Sequence, residues 1–77
     1  MKILNWKNGL TIYESEKETI KETIIEAIRR KISLHDADMS GANMSGANMR
    51  DANMRGANMS GANMSGANMS GANMSGA

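Results

Sequence analysis

A single five-residue unit, Ala-Asn-Met-Ser-Gly, repeats almost without change from residue 37 to residue 77. Alanine and methionine each return every five residues, and no insertion breaks their phase. A period of five fits neither the 3.6-residue turn of an α-helix nor the two-residue alternation of a strand, so either structure would spread the methionines over all its faces. The pattern works if the chain turns a corner once per unit and sends each methionine inward. Strict short repeats of this kind indicate a stack in which each unit contacts only its neighbours.

Four corners would close a coil of twenty residues, and this closure defines the predicted core. Stacked coils would pair their backbones about 4.8 Å apart, and glycine or a small polar residue suits each corner. Residues twenty apart, such as Met39 and Met59, are expected to lie above one another. The predicted core consists of Leu34, Met39, Met44, Met49, Met54, Met59, Met64, Met69 and Met74.

The residues before the repeat begin with a predicted β-hairpin over residues 2–14. Asn8-Gly9 is a strong signal for a two-residue type I′ turn, in which both central residues have positive φ. Such a turn pairs Lys7 with Leu10. The same register places on one face Leu4, Trp6, Thr11 and Tyr13, and on the other Ile3, Leu10 and Ile12.

A helix is predicted over residues 16–31. Ser15 and Glu18 have the spacing of a capping box, in which each side chain satisfies a free backbone N–H group. Acidic residues lie near its start and basic residues near its end, as the helix dipole favours. One apolar stripe is formed by Ile20, Ile24, Ala27 and Ile28, with Ile25 beside it.

The density of charged residues changes where the predicted helix ends. Residues 1–31 carry seven basic and five acidic side chains, whereas residues 32–77 carry two basic and three acidic ones. We therefore expect residues 1–31 to form an N-terminal hairpin-helix cap and residues 32–77 to form just over two coils. Ile32 and Leu34 already occupy the alanine and methionine positions of the unit.

The repeat resembles the pentapeptide-repeat family, whose unit is Ala, then Asp or Asn, then a central Leu or Phe, then two variable residues. Asp38-Met39 and Asn43-Met44 show both choices before the central position. The resemblance implies a mainly β fold, a right-handed quadrilateral β-helix in which the central residue and the alanine point inward. The hairpin and helix are similar to the N-terminal caps of some members. The resemblance also allows a DNA-mimicking modulator of type II topoisomerases, although that activity needs a long acidic rod.

Two departures from the family pattern stand out. Eight successive central residues are methionine, and the units are nearly identical apart from Arg50, Asp51 and Arg55. This uniformity indicates recent duplication or engineering, and thus a designed or methionine-substituted member. The three charged residues are expected to form a weak local salt cluster.

The chemistry available to the chain argues against catalysis. There is no cysteine, and His35 is the only histidine, so no nucleophile-base set or thiolate metal site can form. The methionine column could bind a soft metal ion such as Cu(I), but its spacing is the one that a buried core requires. We expect no enzyme activity, no cofactor, no metal, no small-molecule substrate, no nucleic-acid partner and no membrane span. The expected location is the cytoplasm.

The last coil has no capping element in the sequence. An open end of a stack exposes apolar side chains and unpaired backbone groups, which favours assembly. We therefore predict a non-enzymatic scaffold that forms an end-to-end homodimer through its C-terminal coil. The expected surface comprises Met64, Met69, Met74 and Ala77. A disordered repeat tail on a small folded cap is the remaining alternative, because serine, glycine and asparagine are abundant.

Overall fold

The computed structural model describes residues 1–77 and contains two short strands and one helix. Strand β1 spans Lys2–Leu4, strand β2 spans Thr11–Glu14, and helix α1 spans Ile20–Arg29. β1 and β2 form an antiparallel two-stranded sheet. From residue 37 onward the backbone is organised by turns and by isolated bridges between units, not by long strands.

The hairpin differs from its predicted register. Asn5 pairs with Leu10, because the Asn5 N–H group donates to the Leu10 carbonyl oxygen at 2.8 Å, so the connecting loop holds four residues. Only Gly9 of the predicted turn has a positive φ. The physical reason is tertiary: after Leu4 the chain leaves β2 and pairs with the start of the repeat, where the Asp38 N–H group donates to the Leu4 carbonyl oxygen at 2.7 Å.

This change of register also moves side chains between faces. A bulge follows Ile3, and Ile3 lies opposite Tyr13, so the two share a face rather than lying on opposite ones. Ile3 is fully buried and Tyr13 is half-buried, whereas Leu10 stays 66% exposed. The predicted faces of the hairpin were therefore wrong.

Helix α1 begins four residues later than predicted, and Ser15 and Glu18 do not cap it. Thr19 is the N-cap residue, and its side chain accepts a hydrogen bond from the Glu22 N–H group. The Ser15 hydroxyl instead accepts from the Lys17 N–H group at 3.0 Å, and the N-terminal ammonium group binds the Ser15 carbonyl oxygen. These contacts hold residues 15–17 out of the helix, and the equally spaced Thr-x-x-Glu motif next to the apolar stripe replaces the predicted one.

The repeat turns sharply once per unit. The alanine N–H group of each unit donates to the methionine carbonyl oxygen three residues earlier, as Ala42 does to Met39 at 3.1 Å. The residue before each alanine has a φ near 70° when it is glycine, which is the pattern of a type II turn. Asp36 and Asp51 occupy two of these corners with a φ of 62°.

Parallel bridges then join residues twenty apart, at Asp38 and Asn58, Asn43 and Asn63, Asn48 and Asn68, and Asn53 and Asn73. We call residues 38–57 the first layer and residues 58–77 the second layer. In each five-residue unit of the first layer, methionine and the corner residue donate upward to the second layer, and the asparagine of the second layer donates downward to an alanine carbonyl oxygen. This twenty-residue spacing is the one expected from four sides of five residues.

One continuous core links the hairpin, the helix and the first layer. It contains the fully buried Ile3 and Ile24 together with Leu34. The first-layer methionines Met39, Met44, Met49 and Met54 are between 0 and 1% exposed. The second-layer methionines are half-buried and pack against this core from one side only.

Candidate interaction surface

The asparagine of each unit shapes the corner that follows it. Its side-chain oxygen accepts a hydrogen bond from the backbone N–H group two residues later, as Asn68 does from Ser70 at 3.0 Å. The same contact recurs in the other units, with Asp38 in place of asparagine in the first. Asparagine is suited to such turns because its short side chain can bond to its own backbone. The sequence analysis did not predict this role.

The N-terminal end of the repeat is closed by the cap. The Trp6 N–H group donates to the Asp36 carbonyl oxygen at 2.9 Å, and its indole Nε1 donates to the Gly56 carbonyl oxygen at 2.6 Å. From α1, the Lys21 ammonium group donates to the Ser45 carbonyl oxygen. Some backbone groups at this end therefore find partners in the hairpin and the helix, whereas the N–H groups of Asn43, Asn48 and Asn53 make no hydrogen bond within the chain.

The opposite end has no such cover. We call the side of the second layer that faces away from the first layer the open edge. The backbone N–H groups on it that make no hydrogen bond within the chain belong to Met59, Gly61, Met64, Gly66, Met69, Gly71, Met74 and Gly76. The carbonyl oxygens without a partner there belong to Ala57, Ala62, Ala67 and Ala72. An edge of this kind is a template for pairing with another chain.

The predicted self-association residues lie on this open edge. Met64, Met69 and Met74 are half-buried, and Ala77 is exposed. The equivalent first-layer methionines are buried because the second layer covers them. The edge therefore combines apolar side chains with unpaired backbone groups.

A corner cluster lies where the cap meets the repeat. Asp36 is buried, and its Oδ1 atom lies 3.6 Å from Lys7 Nζ and 3.6 Å from His35 Nε2 without a hydrogen-bond partner. Lys7 also lies over the Trp6 ring, 5.4 Å from its centre. His35 is thus part of an exposed structural contact. The predicted salt cluster of Arg50, Asp51 and Arg55 is absent, because Asp36 is the only carboxylate with a basic side chain close to it.

A second polar cluster joins the hairpin to the helix. Hydrogen bonding from the Ser15 side chain lowers the pKa of Glu26, and the Tyr13 hydroxyl adds to this effect. Partial desolvation raises the pKa of Tyr13, and its hydrogen bond to Glu26 acts in the same direction. In the first layer, hydrogen bonds from the side chain and backbone of Ser40 lower the pKa of Asp38. The side chains of Tyr13, Ser15 and Glu26 line a surface cleft between the hairpin and α1, whereas the Asp38 contact stays within its own unit.

No three histidine, aspartate or glutamate side chains lie close enough together to hold a metal ion. Helix α1 is too short, and too polar, to cross a bilayer.

Comparison with known families identifies the repeat. The model of the family described as pentapeptide repeats matches residues 37–76 in 8 copies. The chain belongs to the pentapeptide-repeat family. Proteins of this family are generally structural or interaction proteins, and their repeats imply a β-helix-type solenoid. The match begins at Ala37, so residues 32–36, which the sequence placed in the repeat, lie outside it. Neither the curated proteins nor the solved structures compared with the chain give a match.

Proposed function

We propose that this chain is a non-enzymatic scaffold whose repeat forms a right-handed four-sided β-helix, capped at its N-terminal end by the hairpin and α1. The bridges between residues twenty apart support the four-sided coil, because four turns separate the two members of each pair. The corner residues with positive φ, one per unit, support it as well.

The scaffold self-associates end to end through the open edge. The observation that carries this proposal is the open edge, where unpaired backbone groups lie beside half-buried methionines. At one end, Leu4 and Trp6 pair with the first unit; at the other, a row of N–H and carbonyl groups lies beside half-buried methionines without a partner. Pairing with a second copy would satisfy both the backbone groups and the apolar side chains.

Analytical ultracentrifugation across a dilution series tests this proposal. We expect a dimer at high micromolar concentration that dissociates on dilution, with far-UV circular dichroism unchanged. Met69→Lys on the open edge should shift the equilibrium toward monomer. Leu10→Lys is the control, since Leu10 is the most exposed large apolar residue of the hairpin and is not part of the open edge.

A monomer at high micromolar concentration would refute self-association. A dimer that Leu10→Lys abolishes and Met69→Lys preserves would move the interface to the cap and refute the open edge as its location.

A further inference from the structure

Helix α1 and the first layer leave a cleft between them that the proposed scaffold does not use. It consists of two adjoining recesses of about 390 Å³ and 330 Å³. Both recesses are lined by Ile28 and Arg29 of α1 and by the corner residues Arg50 and Asp51. We call the two recesses together the α1 cleft. Clefts of this size hold small organic molecules.

Three basic side chains line the α1 cleft. Arg29 belongs to the last turn of α1, Lys31 follows the C-cap residue, and Arg50 belongs to the first layer. None of the three makes a salt bridge within the chain. Asp51 is the only acidic residue of the cleft, so three positive charges and one negative charge leave it with a net charge of +2.

Two residues of the α1 cleft have a strained backbone. Lys31 and Asp51 each have a φ of 62°, in the left-handed region that glycine adopts far more readily. Only one other residue with a Cβ has a positive φ. Lys31 lies just beyond the end of a helix, where glycine is common, and Asp51 lies where the repeated unit has glycine. Residues held in such conformations gather at functional sites.

The departures from the repeated unit lead to the same cleft. Ser-Gly ends the regular unit, but Arg50 and Asp51 replace it here. Both side chains are exposed, so burial in the core does not account for them. The third charged replacement, Arg55, lies outside the α1 cleft, in a recess beside Trp6 and His35. Arg55 therefore provides a matched comparison for Arg50.

The first layer also directs backbone donors into the cleft. In the second layer, the asparagine N–H group points toward the layer before it, as Asn68 donates to the Ala47 carbonyl oxygen at 2.8 Å. The same orientation in the first layer directs the N–H groups of Asn48 and Asn53 toward the cap. Neither group makes a hydrogen bond within the chain. Asn48 lines one recess and Asn53 lines the other, so each recess contains an unpaired N–H donor.

The negative groups near the cleft do not cancel its attraction for anions. The C-terminal end of a helix is the negative end of its dipole, but the carbonyl oxygens of residues 26–28 already accept hydrogen bonds from the N–H groups of residues 30–32. The Asp51 Oδ1 atom occupies the position that a Cβ on Gly71 would need. Its carboxylate is therefore turned toward the second layer and away from α1.

We infer that the α1 cleft binds a phosphate monoester, with the phosphate group between Arg29 and Arg50. Guanidinium groups bind phosphate through paired hydrogen bonds, and backbone N–H groups add further donors. A phosphate monoester carries a charge of about −1.5 to −2 at pH 7, which balances the charge of the cleft. The organic part of the ligand packs on the half-buried side chains of Ile25, Ile28 and Ile32.

Calorimetric titration with phenyl phosphate tests the site, because this probe carries both a phosphate and an apolar group. Arg50→Ser restores the regular unit and leaves the core unchanged. We expect it to weaken binding by about tenfold or more, as the loss of a hydrogen bond between charged groups does. Arg55→Ser is the matched control, since it makes the same replacement outside the α1 cleft. We expect it to change the Kd by less than about twofold, as a screened distant charge does.

A second pair of variants tests the helix side of the cleft. Arg29→Gln should weaken binding of phenyl phosphate about as much as Arg50→Ser does. Arg30→Gln is its control, because Arg30 is the adjacent residue and is equally exposed, yet it does not line the cleft.

Backbone amide chemical shifts provide a readout that net charge alone would not produce. We expect the N–H signals of Asn48 and Asn53 to move downfield on titration with phenyl phosphate, with the Kd found by calorimetry. Asn43 is the control, since its N–H group also makes no hydrogen bond within the chain but does not line the cleft.

Two further probes define the ligand. Inorganic phosphate lacks the organic part and should bind several times more weakly than phenyl phosphate, because it leaves the isoleucine side chains uncovered. Equal binding of the two probes would overturn the role of this apolar wall. Vesicles containing phosphatidic acid present the same phosphate group on a lipid. Binding to them that Arg50→Ser abolishes assigns the phosphate to a lipid headgroup, and binding of phenyl phosphate alone assigns it to a soluble molecule.

The remaining outcomes overturn the inference. One is the absence of both heat and amide shifts at millimolar phenyl phosphate. Another is an equal loss of affinity in Arg50→Ser and Arg55→Ser, which would reveal attraction by net charge without a site. Neither result affects the proposed scaffold, whose test is the oligomeric state of the chain.

Discussion

Two corners of the repeat should differ sharply in their tolerance of an added methyl group. Gly56 and Gly61 both have a φ near 70°, so replacing either with alanine brings the left-handed backbone penalty of about 1–2 kcal/mol. At Gly61 the new Cβ would meet only Gly41, 3.9 Å away. At Gly56 it would overlap the Oδ1 atom of Asp36, the corner residue one layer below.

The extra penalty at Gly56 can be worked from what Asp36 would lose. To make room, the buried carboxylate must rotate away from Lys7 and His35, each 3.6 Å from it. An off-rotamer side chain costs about 0.5–1.5 kcal/mol, and the weakened ion contacts add to that. We expect Gly56→Ala to lower the free energy of unfolding by about 1–2 kcal/mol more than Gly61→Ala. For a domain of this size, each kcal/mol shifts Tm by about 4–8 °C.

A double-mutant cycle isolates the contact. Asp36→Gly removes the carboxylate and also relieves its own positive φ of 62°, so we expect little net change from it alone. In the Asp36→Gly background, Gly56→Ala should cost no more than Gly61→Ala, as measured by urea unfolding followed by circular dichroism. Contacting residues show coupling energies of about 0.5–3 kcal/mol in such cycles. Equal penalties at Gly56 and Gly61 in the wild-type background, or an unchanged penalty after Asp36→Gly, would refute the reasoning.

Two further predictions concern the core and the cap. Met54 is fully buried, so Met54→Ala should lower the free energy of unfolding by about 2–5 kcal/mol. Met74 is half-buried, so Met74→Ala should lower the free energy of unfolding by only about 1–2 kcal/mol, measured at a concentration where the chain is monomeric. Equal losses for the two variants would contradict the one-sided cover of the second layer. Because the pKa of Glu26 lies below its ordinary value of about 4.5, this group stabilises the fold above that pH, and the stabilisation is lost as the pH falls through the lower, folded-state value. Glu26→Gln should therefore reduce the decline in the urea unfolding midpoint between about pH 5 and pH 3. Glu16→Gln is the control, because it removes the same charge. Identical profiles for Glu26→Gln and wild type would show that the Ser15 and Tyr13 contacts do not affect stability.

The sequence predicted the repeat well because the same five-residue pattern recurs in every unit. A five-residue phase held without interruption leaves few ways to bury alanine and methionine together, and it fixed the twenty-residue spacing found in the bridges. Membership of the pentapeptide-repeat family follows from the same residues. The asparagine contacts to each corner could have been predicted as well, because the accepting side-chain oxygen and the donating N–H group lie only two residues apart.

The cap was predicted less well because its local signals compete with tertiary contacts. Asn8-Gly9 favours a two-residue turn, yet the chain pairs from Leu4 onward with the first unit, and the hairpin takes a different register. Two equivalent capping motifs precede the helix; the Ser15 hydroxyl bonds to the Lys17 N–H group, and Thr19 is the N-cap.

The sequence alone thus determined the unit, its corners and its inward-facing residues, because these depend on interactions between residues a few positions apart. Only the tertiary structure decided where the hairpin docks, which residue caps α1 and which backbone groups remain unpaired. Those outcomes depend on contacts between residues separated by tens of positions, such as Trp6 and Gly56. These contacts stabilise the fold only when the first layer, the second layer and the cap pack against one another.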